Sequence, residues 1–211
     1  MDQEKRTVAA AQLDPERAAR IVRSIGQIGD DAALAIGPLS DKMMGVAFHS
    51  IATVATAPWQ VVEVDGTARI VCPEWKMVRG VGTGDAWLEL TEIGPEDVEG
   101  FSWISVAVGA GPTRMAIELV FRRGLQEYAE AAIFNEKLAA PLLKLGMARN
   151  EAKSRLFFPV DIKAEALAQG FETNDLDQAL APVGQAMKKA VTAKPDLDHL
   201  VAQVRAAAAR K

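Results

Sequence analysis

The chain has 211 residues, of which 49% are hydrophobic and 25% are charged, and its formal net charge is −4. This balance is typical of a globular protein with a sizeable core, and it excludes extensive disorder. The negative charge argues against a nucleic-acid partner held by a basic surface. A single cysteine, Cys72, excludes an internal disulfide and any multi-cysteine metal site.

The N-terminal seven residues are charged and polar, so they lack the apolar core of a signal peptide. The longest mostly apolar stretch, residues 43–58, is too short to span a bilayer. We therefore expect no membrane partner and a reduced, cytoplasmic setting.

Residues 1–58 carry a helical pattern. Asp14 and Pro15 are typical of a helix start, with an acidic cap before a proline at the first helical position. Apolar residues then recur at helical spacing: Ala18, Ile21, Val22, Ile25 and Ile28. Glycines at 26, 29 and 37 are expected to end this run. A second helix is expected from Ser40 towards Pro58.

From residue 59 to residue 121 the apolar period changes from 3.6 to 2. Asp65-Gly66 separates two alternating runs, which is a strong signal for a two-residue hairpin. The pattern predicts five strands, at 59–64, 67–72, 85–92, 102–108 and 114–121. Glycine-rich turns at short intervals favour an antiparallel meander.

After residue 124 the helical period returns. The pattern predicts an amphipathic helix over 125–145, interrupted at Pro141, and a short edge strand near 156–160. Further helices are expected around Pro182 and after Pro195. With no separating linker, we predict one α+β domain over 1–211: helical over 1–58, strand-rich over 59–122 and mainly helical over 124–211. Helices from both ends of the chain are expected to pack around its mostly antiparallel sheet of about five strands.

One carboxylate pattern indicates chemistry. Asp65, Glu74 and Lys76 resemble in outline the Asp…Glu-x-Lys arrangement of magnesium-dependent nucleases. Two carboxylates could hold a hard cation while the lysine stabilises phosphate charge. Three features weaken this interpretation: the turn geometry favours aspartate at 65 anyway, Glu74 follows a proline, and residues 59–113 carry nine acidic against three basic groups. A magnesium-dependent nuclease or phosphodiesterase with this site remains the alternative hypothesis.

Other catalytic and cofactor patterns are weaker still. The chain has two histidines, His49 and His199, far apart in sequence, and Cys72 lies in an apolar strand pattern. The glycine-rich stretches 80–84 and 109–112 are not followed by the helix start that a phosphate loop needs. We predict no cofactor and no resident metal.

The four tryptophans all fall in the strand region. Trp87 shares its predicted strand face with Glu89, and Trp103 lies on the less apolar face of the predicted strand 102–108. Large aromatics on such a face need a cover, either a helix of the same chain or a partner. Trp87, Glu89 and Trp103 are therefore the candidate binding residues. The sequence favours a non-catalytic binding, adaptor or chaperone-like protein that uses an aromatic, acidic sheet surface, and its expected partner is another protein or a second copy of itself.

Overall fold

The computed structural model describes residues 15–64, 66–75, 84–95, 100–150 and 154–210. Three helices open this part of the chain: α1 (Pro15–Arg23), α2 (Ile25–Ile36) and α3 (Pro38–Val54). The helix start expected at Pro15 is confirmed, whereas Asp14 lies outside the described residues. Gly26 and Gly29 do not end a helix but lie within α2, and only Gly37 separates two helices. α3 begins at Pro38, two residues before the expected start at Ser40, and Gly37 is its N-cap.

Six strands form one antiparallel sheet among the described residues, so the α+β class is confirmed and the strand count is one higher than expected. The strands are β1 (Gln60–Val64), β2 (Thr67–Val71), β3 (Ala86–Ile93), β4 (Arg114–Phe121), β5 (Ala148–Asn150) and β6 (Arg155–Pro159), in the spatial order β1-β2-β3-β4-β6-β5. Val64 pairs with Thr67, and Gly66 has φ +75°, as the predicted two-residue hairpin requires.

The strand predicted over 102–108 is wrong, because this segment forms helix α4 (Trp103–Ala107). A capping box starts the helix: Ser102 and Ser105 each bond the other's backbone N–H through their hydroxyl oxygens. Gly109, at φ +61°, follows its end. The apolar run over residues 103–108 is too short for its periodicity to distinguish a strand from a helix. The capping box at its start and Gly109 after its end favour the helix.

The helix expected over 125–145 is two helices, α5 (Gln126–Ile133) and α6 (Glu136–Lys144). The break is not at Pro141, which lies within α6, but at Asn135, whose side chain accepts the backbone N–H of Lys137. The predicted strand near 156–160 exists as β6. It is not an edge strand, because β5 pairs with its outer side.

The last three helices are α7 (Ala164–Thr173), α8 (Ala181–Thr192) and α9 (Lys194–Ala208). Pro182 and Pro195 each lie in the first turn of their helix, as expected. α8 packs closely on α3, where a Cβ on Gly184 would meet the Ser50 hydroxyl at 2.8 Å.

The core lies on one face of the sheet. Alternate residues of the central strands are fully buried there and pack with residues of α3, α8 and α9; the strand residues include Ile70, Leu88, Leu90, Ile117, Leu119 and Phe158. The opposite face carries the half-buried side chains of Arg69, Trp87 and Glu89. The sheet is therefore covered by helices on its core face, while its other face is partly exposed.

Candidate functional site

Trp87 and Glu89 lie together on the partly exposed sheet face. The indole Nε1 of Trp87 donates to Glu89 Oε2 at 2.6 Å, and the guanidinium of Arg69 lies 4.7 Å from the centre of the indole ring. Arg69 also pairs with Glu89 at 3.6 Å. The polar atom of the tryptophan and part of its ring are thus occupied by groups of the same chain, which leaves less of this face for a partner.

Trp103 lies elsewhere. It is the first residue of α4, half-buried against the core, and α4 contacts β4 and α2. β4 begins where β3 ends, since Ile93 pairs with Arg114. Trp87 and Ile93 are six positions apart in β3, which is about 20 Å at the usual strand rise. The two predicted tryptophans thus lie on different elements, Trp87 on the sheet and Trp103 on helix α4.

Of the three residues in the nuclease hypothesis, Asp65 and Lys76 lie outside the described residues. Glu74 lies in a 3-10 turn, Pro73–Trp75, that follows β2. Its carboxylate accepts the Lys194 ammonium at 2.6 Å and the Cys72 thiol at 2.8 Å. The turn follows one end of β2, and the hairpin glycine Gly66 precedes the other end.

Lys194 is the centre of a polar cluster that joins this turn to α9. Its ammonium also bonds Asp198 Oδ2 at 2.7 Å, and Trp75 Nε1 donates to the other carboxylate oxygen of Asp198 at 2.7 Å. Burial opposes the charged form of Lys194, but the hydrogen bonds to Asp198 and Glu74 prevail and raise its pKa. The bonds from the Cys72 thiol and the Lys194 ammonium lower the pKa of Glu74.

The same cluster contains three metal-ligating groups, Cys72, Glu74 and Asp198, whose ligand atoms lie within 4.8 Å of one another. Lys194 bridges both carboxylates and supplies the positive charge that a cation would bring. Burial, followed by the hydrogen bond to Glu74, raises the pKa of Cys72 to about 11, whereas a metal needs the thiolate. The arrangement is better suited to fastening the turn to α9 than to holding a metal.

A second ionic group lies beside the first. The buried carboxylate of Asp85 accepts Arg122 Nε at 2.5 Å and Arg205 Nε at 2.7 Å. Arg205 also donates from Nη1 to the backbone carbonyl of Glu74 at 2.7 Å. Asp85 N donates to the carbonyl of Trp75, so both ends of the segment between β2 and β3 are attached to α9.

Sequence reasoning did not identify Lys194, Asp198, Arg122 or Arg205 as site residues. One local signal was present, because Lys194 and Asp198 are four residues apart on one helix. Lys194 is 120 positions from Glu74, and Arg205 is 120 positions from Asp85. Arg122 is 37 positions from Asp85, and no local pattern links residues at either distance.

The N-terminal helices expose a line of aliphatic side chains. α1 and α2 meet at Ser24, whose N–H bonds the Arg20 carbonyl at the end of α1 and whose carbonyl accepts the Ile28 N–H at the start of α2. No side chain of α2 is buried. Five residues at helical spacing form what we call the apolar stripe, and between 42% and 71% of each is exposed: Ile21, Val22, Ile25, Ile28 and Ile36.

No described helix is both long and apolar enough to cross a membrane. Comparison of the chain with protein-family models, with curated proteins and with solved structures finds no match.

Proposed function

We propose that the protein is a non-catalytic binding protein of the adaptor type, which assembles through the apolar stripe on α1 and α2. The exposure of the stripe is the observation that carries this proposal. Its five side chains leave on the order of 500 Å² of apolar surface in water, which is at the upper end of the largest patch on a typical monomer. Surfaces of this kind mark sites of protein association.

The spacing along the two helices matches a helical partner. Ala18, Ile21, Ile25, Ile28 and Ala32 follow one another at alternating intervals of three and four residues, which is the pattern of a seam between two helices. The proposed seam crosses Ser24, the one residue that separates α1 from α2.

A second copy of the chain is the partner we propose. Arg20 and Arg23 make the first half of the two-helix segment basic, and Asp30 and Asp31 make its second half acidic. Two copies in antiparallel orientation place each basic half beside an acidic half, and a two-fold axis closes the contact. These charges flank the stripe at a distance, so they favour the orientation more than the strength of association.

The size of the stripe sets the expected affinity. Stable interfaces bury about 800 Å² per partner, and 500 Å² of apolar surface with a polar border lies near the lower limit. We therefore expect a dimer with a dissociation constant in the micromolar range.

The alternatives have less support. A docking surface around Trp87 and Glu89 would have to displace the contacts these side chains make with Arg69. In the nuclease hypothesis, Glu74 would have to give up its bonds to Lys194 and Cys72. A cytoplasmic setting is part of the proposal, since the one cysteine is a buried thiol.

The test is Ile25→Asp against the matched control Gln27→Asp. Both residues are exposed in the first turn of α2, so an added carboxylate interacts equally with the helix dipole at either position. Ile25 belongs to the stripe, and Gln27 lies on the other side of the helix. Light scattering at 100 µM protein should give a dimer for the wild type and Gln27→Asp, and a monomer of 22.6 kDa for Ile25→Asp. A monomeric wild type, or equal masses for the two variants, would contradict the proposal.

A further inference from the structure

Two arginines from distant parts of the chain line a pocket of about 200 Å³. Arg122 directly follows β4, and Arg205 lies in the last turn of α9. Asp85 lies between them, and aliphatic groups of Leu125, Ala208 and Ala209 complete the lining. The pocket thus has a cationic part and an apolar wall.

The hydrogen bonds leave several arginine donors available. A guanidinium has five N–H groups. Asp85 accepts only the Nε–H of each arginine, and the Glu74 carbonyl accepts Nη1 of Arg205. Arg205 Nη2 is buried and has no acceptor among the described residues. That atom is closed to any ligand, but the Nη groups of Arg122 bond no described residue and the Arg122 side chain is 44% exposed, so they are the donors that a ligand in the pocket would meet.

The charges that line the pocket also favour an anion. Two guanidinium groups face the one carboxylate of Asp85, which gives an excess of one positive charge. The neighbouring cluster of Glu74, Asp198 and Lys194 carries one excess negative charge, but none of its residues lines the pocket. The planar fork of a guanidinium matches the two oxygens of a carboxylate or phosphate.

Two features select a carboxylate over a phosphate. α9 ends at Ala208, and the partial negative charge at a helix C-terminus disfavours a doubly charged ligand beside it. The wall of Leu125, Ala208 and Ala209 can cover a short aliphatic chain, which a phosphate ion lacks. We propose that this pocket binds a short aliphatic carboxylate, either as a free acid or as the C-terminal carboxylate of a peptide.

Thermal unfolding with sodium propionate tests the proposal. Propionate at 50 mM should raise the midpoint relative to sodium chloride at equal ionic strength, because a ligand that binds only the folded state stabilises it. Propionamide, which has the same shape without the charge, should give no shift. Equal midpoints in propionate and chloride would overturn the proposal, as would a shift with phosphate at least as large as that with propionate.

Variants assign the effect to the pocket. Arg122 is 44% exposed, so Arg122→Gln should fold, and it should weaken propionate binding at least tenfold in calorimetry. Arg122→Lys keeps the charge without the fork and should also weaken binding. Arg123→Gln removes an exposed arginine that does not line the pocket and should bind as the wild type does. Unchanged binding by both Arg122 variants would overturn the assignment.

The source of the carboxylate is distinguished with a peptide. If the natural ligand is a chain terminus, acetyl-Ala-Ala with a free carboxylate should bind more tightly than propionate, and its C-terminal amide should not bind. If it is a free acid, propionate should bind more tightly than the peptide. Equal binding of the peptide and its amide would show contacts that do not involve the carboxylate, and would count against the proposal.

Discussion

Replacing Asp85 by asparagine tests the ionic group that attaches the sheet to α9. The Asp85 side chain is 1% exposed and accepts hydrogen bonds from two guanidinium groups. Asparagine keeps the shape of the side chain but removes its charge. Its amide N–H groups also face the N–H donors of Arg122 and Arg205, which they cannot accept. Two arginine cations are then left beside each other without a counter-charge.

The magnitude follows from the burial of each partner. Breaking a buried ion pair by removing one partner costs about 3–5 kcal/mol. Arg122 and Arg205 are 44% and 28% exposed, so water solvates part of the charge that is left, and we expect about 2–3 kcal/mol. At roughly 2–4 °C per kcal/mol for a chain of this size, the midpoint should fall by about 5–10 °C.

Urea unfolding followed by circular dichroism measures this change. Asp161→Asn is the matched control, because Asp161 pairs with Lys163 and both side chains are exposed. The control should unfold as the wild type does. If the free energy of unfolding of Asp85→Asn is also within about 0.5 kcal/mol of the wild-type value, the ionic group does not stabilise the fold.

Gly66→Val places a β-branched residue at φ +75° and should lower the unfolding free energy by about 1 kcal/mol or more; an unchanged urea midpoint would contradict the turn geometry. Cys72 should resist iodoacetamide at pH 8 until urea unfolds the chain. Because the unfolded thiol ionises near pH 9 and the folded one at about 11, stability should also fall as the pH rises above 9. The ion pair lowers the pKa of Glu74 and raises that of Lys194. The difference in unfolding free energy between the wild type and Lys194→Met should therefore be constant from pH 6 to 9 and should shrink below about pH 4.5, where Glu74 becomes protonated. A difference at pH 3 as large as that at pH 7 would contradict the ion pair. Trp87→Ser should keep the circular dichroism spectrum of the folded protein, whereas Trp75→Ser, at a buried position, should lower the unfolding free energy by about 3–5 kcal/mol. An equal decrease in unfolding free energy for the two variants would show that Trp87 is a core residue.

Sequence patterns predict the secondary structure correctly where the pattern is long and regular. The strand at 114–121 was predicted with its observed bounds, because four apolar residues alternate with polar or smaller ones over its whole length. The hairpin at Gly66 depends on two residues whose backbone preference is strong. The segment 102–108 has no such regularity, and there the hydroxyl groups of Ser102 and Ser105 favour the helix.

The candidate sites depend on contacts that no local rule specifies. Periodicity predicted that Ile21, Ile25 and Ile28 share a helix face, but it does not say whether that face meets the core or remains exposed. Likewise, the acidic character of residues 59–113 was visible in the sequence, but the pairing of Asp85 with Arg122 and Arg205 exists only in the folded chain.

Sedimentation equilibrium of the wild-type protein from 1 to 200 µM tests the proposed function most directly. If the apolar stripe joins two copies, the average molar mass should rise with concentration from 22.6 kDa towards twice that value, with a dissociation constant in the micromolar range. A mass that stays at 22.6 kDa up to 200 µM would contradict assembly through the stripe.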